Sequence, residues 1–199
     1  MAEFDDGIGR VLTALAANGF ANDTLVVFTS DNGGSLRYAQ SNGPWRGGKE
    51  NHYDGGLRVP FMARWPGHIE SGSRSDYAGL NFDVFPTLLE LAGATPAADL
   101  DAVSLVPVLK GASISAPRDL YFVRREGGSY GGKSYEAIIR GHWKLLQNDP
   151  YSPLELYNLK DDPQERHNLA AANQKVFNQL VAALRIHVQR AGATPWQRP

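Results

Sequence analysis

The 199-residue chain contains no cysteine, no basic run and no long apolar stretch. The absence of cysteine excludes disulfides, thiolate metal sites and a cysteine nucleophile, although it does not identify a redox compartment. A formal net charge of -1 argues against a nucleic-acid or membrane-surface partner. The apolar stretches are too short to cross a bilayer. With 42% hydrophobic residues, the chain is expected to form an ordinary globular fold of one domain or one and a half.

Residues 1–115 have the pattern of a mixed α/β region. Apolar residues recur at helical spacing over 3–17, which predicts an amphipathic helix. Residues 24–30 are apolar and β-branched without alternation, which is typical of a parallel strand covered on both faces. A second strand is expected over 58–65, and a helix over 82–92 is expected to cover the sheet. The fold class predicted for this region is therefore α/β.

Residues 116–199 have the pattern of a small antiparallel sheet followed by a helix. Gly141 and His142 separate two apolar runs and predict a two-residue hairpin turn. Strands are expected over residues 120–123, 135–140, 143–147 and 154–158. Residues 162–165 are typical of a capping box at a helix start. The glycine-rich residues 127–132 are typical of a mobile hairpin loop. The final helix is expected to pack on the sheet through Phe177, Leu180, Val181, Leu184 and Val188.

Asp31 and Asn32 follow the first apolar strand and are candidate metal ligands. Open α/β sheets bind their ligands at the carboxyl ends of such strands. One carboxylate and one neutral amide oxygen suit a hard cation, whereas a pair of transition metals would favour histidine beside the aspartate. The alternative is an ordinary turn, since aspartate, asparagine and glycine all tolerate positive φ.

Lys49 follows Gly47 and Gly48 in a polar loop and is a candidate anion-binding residue. Glycines beside a lysine allow both backbone and ammonium to approach a small tetrahedral anion closely. A solvated loop is the alternative interpretation. His52 is a candidate substrate contact in the same loop, although a lone loop histidine is more often only solvated.

Together and in this order, these segments resemble the sulfatase family of the alkaline-phosphatase-like superfamily. The resemblance extends over essentially the whole chain, and its motifs occur in the family's order. The similar segments are the strand and turn 24–34 (TLVVFTSDNGG), the glycine-lysine segment 43–49 (GPWRGGK), residues 53–61 (YDGGLRVPF), 64–67 (RWPG), 85–93 (FPTLLELAG) and the tail ELYNL at 155–159 with Asp162, Pro163, Glu165 and residues 168–170.

The resemblance implies a fold, a reaction and roles for individual residues. Residues 1–115 would be the C-terminal portion of an alkaline-phosphatase-like mixed α/β sheet with flanking helices, and residues 116–199 a small antiparallel sheet packed on a C-terminal helix. The implied reaction is the hydrolysis of sulfate esters. Asp31 and Asn32 would bind a calcium or magnesium ion, while Lys49 would contact the sulfate group and its leaving oxygen.

The sequence departs from the family where the nucleophile is expected. The family converts a cysteine or serine in a C/S-x-P/A-x-R motif to formylglycine, and this chain contains neither a cysteine nor a serine in that context. The family's upstream aspartate pair is also absent, so the metal site is expected to be incomplete. The chain is therefore predicted to be the C-terminal part of a sulfatase, as a fragment, a truncated product or a subunit completed in trans.

Two other functional classes stay open. One is a non-catalytic remnant or structural subunit, and the other is a phosphate or phosphonate ester hydrolase of the same superfamily. The expected partners are a sulfate-ester small molecule or a sulfated sugar, with self-association or pairing with a missing N-terminal half. The family suggests a periplasmic or secreted location, although the start of this chain has no signal-peptide pattern.

Overall fold

A computed structural model describes residues 2–38, 41–95, 100–115, 117–125 and 133–193 of the chain. It contains two compact units, one formed by Met1–Asp31 with Pro60–Ser115 and the other by Asn32–Val59 with Ala116–Pro199. The chain thus enters the second unit at residue 32, leaves it after residue 59 and returns at residue 116. The predicted domains 1–115 and 116–199 stay a prediction, because compact units are defined by contacts and not by independent folding.

Helices and strands follow one another along the chain in a mixed order. The helices are α1 (Ala2–Ala17), α2 (Asp54–Leu57), α3 (Val84–Leu91), α4 (Val106–Leu109) and α5 (Gln174–Gly192). The strands are β1 (Val26–Thr29), β2 (Phe61–Arg64), β3 (Asp119–Arg125), β4 (Ser134–Arg140), β5 (Trp143–Leu146) and β6 (Glu155–Asn158). Short 3-10 helices occupy Leu36–Tyr38 and Asn81–Asp83. Among the described residues, no helix combines the length and apolar character that a bilayer crossing requires.

In the first unit, the predicted helix over 3–17 is confirmed as α1. Both the backbone and the side-chain amide of Asn18 donate to the Ala14 carbonyl, at 3.1 and 2.8 Å. Gly19 then adopts a φ of +77°, which ends the helix because glycine tolerates this conformation.

The strand direction in the first unit differs from the prediction. β1 pairs with β2 in an antiparallel register that joins Val26 to Arg64 and Thr29 to Phe61, and β1 is half-buried rather than covered on both faces. An apolar run indicates burial but not the direction of the neighbouring strand, which is a non-local property.

The predicted helix over 82–92 is confirmed as a 3-10 turn that continues into α3, with Gly93 at a φ of +69° beyond its end. Its expected covering of the sheet is wrong for the described residues. Phe85 and Leu88 are 56% and 48% exposed, and the buried residues of α3 are Pro86 and Thr87.

In the second unit, β3 to β6 form an antiparallel sheet in sequence order, as predicted. Arg140 pairs with Trp143 across Gly141, which has a φ of +58°, so the two-residue hairpin is confirmed. The predicted packing of the last helix is also confirmed for Phe177, Leu180, Val181 and Leu184, whereas Val188 is exposed. Ile138, Leu145 and Leu156 of the sheet form one buried cluster with Leu180, Ala183 and Leu184 of α5.

The capping box predicted at residues 162–165 is wrong, because α5 begins only at Gln174. Asp162 instead caps a turn, in which its Oδ2 accepts the backbone N–H groups of Arg166 and His167 at 2.8 Å each. Residue types that cap helices also cap turns, so the local pattern does not separate the two structures. The glycine-rich loop predicted over 127–132 lies outside the described residues.

The α5 packing predicts a measurable loss of stability on Leu180→Ala. Leu180 is 2% exposed, so its truncation leaves a cavity and should lower the free energy of unfolding by about 2–5 kcal/mol. Ile186→Ala on the same helix is the control, because Ile186 is 50% exposed and its truncation should change stability by less than about 1 kcal/mol. Urea unfolding followed by circular dichroism measures both, and equal losses would contradict this packing.

Candidate active site

Asp31 lies at the end of the first unit, two residues beyond β1, and its side chain is exposed. Asn81 fixes the backbone just before it: its amide donates to the Ser30 carbonyl at 2.8 Å, and its Oδ1 accepts the Thr29 hydroxyl at 3.0 Å. No sequence pattern indicated this role of Asn81. Within the described ranges, no three acidic, histidine or cysteine side chains come together in an arrangement that could bind a metal ion.

Asn32 is half-buried in the second unit, where backbone hydrogen bonds join the loop that follows it to the Lys49 loop. The Lys49 N–H donates to the Gly34 carbonyl at 3.0 Å, and the Gly33 N–H donates to the Gly56 carbonyl at 3.0 Å. The structure therefore joins the segment after Asn32 to the Lys49 loop, while the metal-binding role of Asn32 and the sulfate contact of Lys49 stay predictions.

The Asn42 side chain bridges the same segments. Its Oδ1 accepts the Gly34 N–H at 2.7 Å, and its Nδ2 donates to the carbonyls of Gly34 and Gly47 at 3.0 Å each. Because one amide side chain satisfies three backbone groups, these loops are held without regular secondary structure.

The glycines in these loops are required by close backbone approach. A Cβ on Gly33 would lie 1.8 Å from the Gly55 carbonyl oxygen, and a Cβ on Gly55 would lie 2.2 Å from the Gly47 carbonyl oxygen. No side chain fits at such distances, so the three segments pack backbone against backbone. We call this arrangement the glycine stack, formed by residues 33–34, 47–48 and 55–56.

Lys49 itself is exposed, and the residue after it is held in an uncommon conformation. Glu50 has a φ of +81°. Its carbonyl accepts the Tyr135 hydroxyl at 3.2 Å, and its carboxylate lies 3.5 Å from the Arg124 guanidinium. A non-glycine residue keeps positive φ only where its surroundings determine it, and strands β3 and β4 supply those contacts.

His52 is buried, and both its ring and its backbone N–H make hydrogen bonds. Its Nδ1 donates to the Gln147 carbonyl at 2.9 Å, its backbone N–H donates to Asn148 Oδ1, and its ring lies 5.1 Å from that of Tyr135. Burial lowers the pKa of His52 to about 4, and the charges of Lys144 and Arg124 add to this effect. The substrate contact expected for His52 stays a prediction, and these surroundings favour a structural role.

A buried ionic network lies beneath the Lys49 loop and was not predicted from the sequence. The Lys144 ammonium, which is 0% exposed, lies 2.8 Å from Asp54 Oδ1 and 2.8 Å from Glu165 Oε1. Burial raises the pKa of Glu165, while the ammonium acts in the opposite direction. The partners of Lys144 are distant in sequence, so no local pattern identified it.

Gly55→Ala tests the glycine stack. The new Cβ would overlap the Gly47 and Arg46 carbonyl oxygens, so we expect the free energy of unfolding to fall by at least about 2 kcal/mol. Gly192→Ala is the control, because the space around Gly192 in α5 is open and alanine favours a helix. Denaturant unfolding of both variants measures the difference, and a neutral Gly55→Ala would contradict the stack.

The surroundings of His52 predict an acid-dependent loss of stability. The pKa is lowered from 6.5 to about 4 in the fold, so the unfolded chain binds the proton more readily and stability falls as pH falls through this window. The loss corresponds to about 3 kcal/mol. His52→Asn, which keeps a donor near the Gln147 carbonyl, should lack this component, whereas His142→Asn in the exposed hairpin should keep it. Parallel pH profiles of the free energy of unfolding for the wild type and His52→Asn would contradict the prediction.

Comparisons with known proteins identify the family of the chain. Residues 1–94 match the family model for sulfatases, and residues 48–192 match the model described as N-sulphoglucosamine sulphohydrolase, C-terminal. The steryl-sulfatase of Rattus norvegicus is 34% identical over 98% of this chain and 41% of its own length. The chain thus spans about two fifths of that relative.

Solved structures show the same fold. Ps i-CgsB in complex with k-i-k-neocarrahexaose superposes with a TM-score of 0.82 at 32% identity, over 91% of this chain and 40% of that chain. BT4656 in complex with its substrate D-glucosamine-2-N,6-O-disulfate superposes with a TM-score of 0.75 at 26% identity, over 96% of this chain and 39% of that chain. The α/β architecture expected from the sequence, including the antiparallel sheet and C-terminal helix, is therefore confirmed. The family models and relatives together show that the chain belongs to the sulfatase family.

Proposed function

We propose that this chain supplies one part of the active site of a sulfuric-ester hydrolase. The observation that carries the proposal is the hydrogen bond from the Lys49 N–H to the Gly34 carbonyl, which holds the lysine loop beside the segment that follows Asn32. Membership of the sulfatase family supports the reaction class. This backbone arrangement sets where the Lys49 side chain begins.

Asp31 and Asn32 are proposed as ligands of a calcium or magnesium ion. Their carboxylate and amide oxygens are of the type that hard cations prefer. Calcium takes about six to eight oxygen ligands, so two donors form only part of such a site. Further ligands are proposed to come from a second polypeptide segment.

Lys49 is proposed as the catalytic residue of this chain. Its ammonium would contact the sulfate group and offset the negative charge that develops on the leaving oxygen. Removal of one such stabilising group typically raises the barrier by about 3–4 kcal/mol. The exposed position of Lys49 on the glycine stack is compatible with contact to a substrate.

The nucleophile is proposed to lie on the same second segment, corresponding to the part of the relatives that this chain does not match. The apolar surface of the first unit supports such a partner. α1 is described over its whole length and has no buried residue, and Phe4, Val11, Met62 and Phe85 are each more than half exposed. Exposed apolar surface of this kind favours pairing with another segment or self-association.

The substrate class is proposed to be a sulfate ester, with a sulfated sugar as the leading candidate. The disulfated glucosamine bound by BT4656 supports this choice. A non-catalytic remnant is the second candidate function, favoured by the missing formylglycine motif. A periplasmic or secreted location stays a prediction from the family.

The isolated chain is expected to show no turnover of 4-nitrophenyl sulfate in calcium-containing buffer, because it contains no nucleophile of the required type. Coexpression with the unmatched remainder of the Ps i-CgsB chain should restore turnover. In that complex, Lys49→Ala should lower kcat by about 10²–10³-fold, whereas Lys110→Ala, at another exposed lysine, should leave it unchanged.

Three results would change this proposal. Turnover by the isolated chain that disappears in Lys49→Ala would refute the need for a second segment. A complex whose kcat is unaffected by Lys49→Ala would refute the role of Lys49. A complex that forms but hydrolyses nothing would favour the non-catalytic remnant.

A further inference from the structure

The loop that contains Lys49 is closed at its base. The Gly55 N–H donates to the Arg46 carbonyl at 2.8 Å, so the two ends of the loop 46–55 lie side by side. Lys49 lies between these ends in sequence. The position of Lys49 therefore depends on what holds Arg46 and Asp54 at that base.

Glu165 contacts both ends of this loop. Its backbone carbonyl accepts the Arg46 guanidinium at 2.6 Å, and its Oε2 accepts the Asp54 N–H at 2.7 Å. The φ of Glu165 is +54°, a conformation that non-glycine residues seldom adopt. Such a backbone conformation persists only where the surrounding contacts determine it. Here it places both the carbonyl and the carboxylate of Glu165 within hydrogen-bond distance of the loop.

Lys144 is the buried counter-ion of this contact. Its ammonium lies 2.8 Å from both Asp54 Oδ1 and Glu165 Oε1, and Arg58 Nε lies 3.1 Å from Asp54 Oδ2. Burying charges carries a desolvation penalty that often equals the attraction gained, so such a network is weak evidence for stability. It does fix geometry, because moving either carboxylate would leave the buried ammonium with one partner instead of two.

Arg46 also contacts two tyrosines. Its guanidinium donates to the Tyr157 hydroxyl at 3.1 Å and lies 3.8 Å above the ring of Tyr53. Both tyrosine hydroxyls donate to Glu155. One end of the loop is thus fixed by Glu165 and by strand β6 together.

We propose that Glu165, with Lys144 as its counter-ion, is a positioning residue that fixes the loop 46–55 and thereby the place of Lys49. The catalytic meaning of that place rests on the function proposed above, whereas the positioning itself does not. Glu165 contacts Arg46 and Asp54 and would act on Lys49 through the loop.

Glu165→Gln in the full chain tests the proposal. This variant leaves Lys144 paired with Asp54, so it should fold, but it removes one of the two carboxylates around the ammonium. Hydrogen exchange at the amides of Lys49 and Gly55 should rise by about tenfold or more relative to Leu145 in β5, as expected for loss of a charged hydrogen-bond partner. Arg46→Gln, at an exposed residue on the other arm, should produce the same pattern.

A second readout separates positioning from general destabilisation. Carbon-13 dimethyl-lysine spectra should show the Lys49 resonance, assigned through Lys49→Arg, moving toward that of exposed Lys175 in Glu165→Gln. Leu180→Ala, which destabilises the same unit from α5, should leave the Lys49 resonance in place. Two outcomes would overturn the proposal. One is that folded Glu165→Gln and Arg46→Gln show neither a shifted Lys49 resonance nor faster exchange in the loop. The other is that Leu180→Ala changes the Lys49 resonance as much as Glu165→Gln does.

Titration with inorganic sulfate distinguishes this inference from the proposed function. In the coexpressed complex, a wild-type Lys49 resonance that does not shift with sulfate would count against the function, while faster loop exchange in Glu165→Gln would still support the positioning. A sulfate response that is the same in the wild type and in Glu165→Gln would overturn the positioning while supporting the function.

Discussion

The arrangement of the candidate site depends on backbone packing against backbone in the glycine stack. Three chain segments approach so closely that a single Cβ on Gly33 or Gly55 would overlap a carbonyl oxygen. Hydrogen bonds from Gly33 and Lys49 cross this contact, and the Asn42 amide closes it from the side. Lys49 is exposed, yet the backbone segments beside it are held by these close contacts.

The sequence predicted those features that are local. The hairpin at Gly141 follows from two residues and the apolar runs beside them, and α5 follows from the spacing of Leu180 and Leu184. Each of these features is encoded within a short stretch of chain.

The features that sequence reasoning missed are non-local. The direction of β1 is set by β2, which is separated from it by the whole Lys49 loop. Lys144 occupies a strand position that would ordinarily face an apolar interior, and it is satisfied by Asp54 and Glu165 from two separate segments. Residues 162–165 have the composition of a helix start. They form a turn instead, in which Glu165 has a positive φ and its carboxylate lies beside the Lys144 ammonium.

At residue 165 the backbone conformation and the buried ion pair favour different amino acids. A glycine would adopt a φ of +54° freely, whereas an L-residue with a side chain loses about 1–2 kcal/mol in this left-handed region. The buried ammonium of Lys144 requires a carboxylate, and removing one partner from a buried ion pair typically costs about 3–5 kcal/mol. Because losing the ion pair is more destabilising than the backbone strain, glutamate occupies a position that suits glycine. Exchanging Lys144 for an apolar residue would remove only one of these requirements, because the buried Asp54 N–H would still need the Glu165 carboxylate as its acceptor.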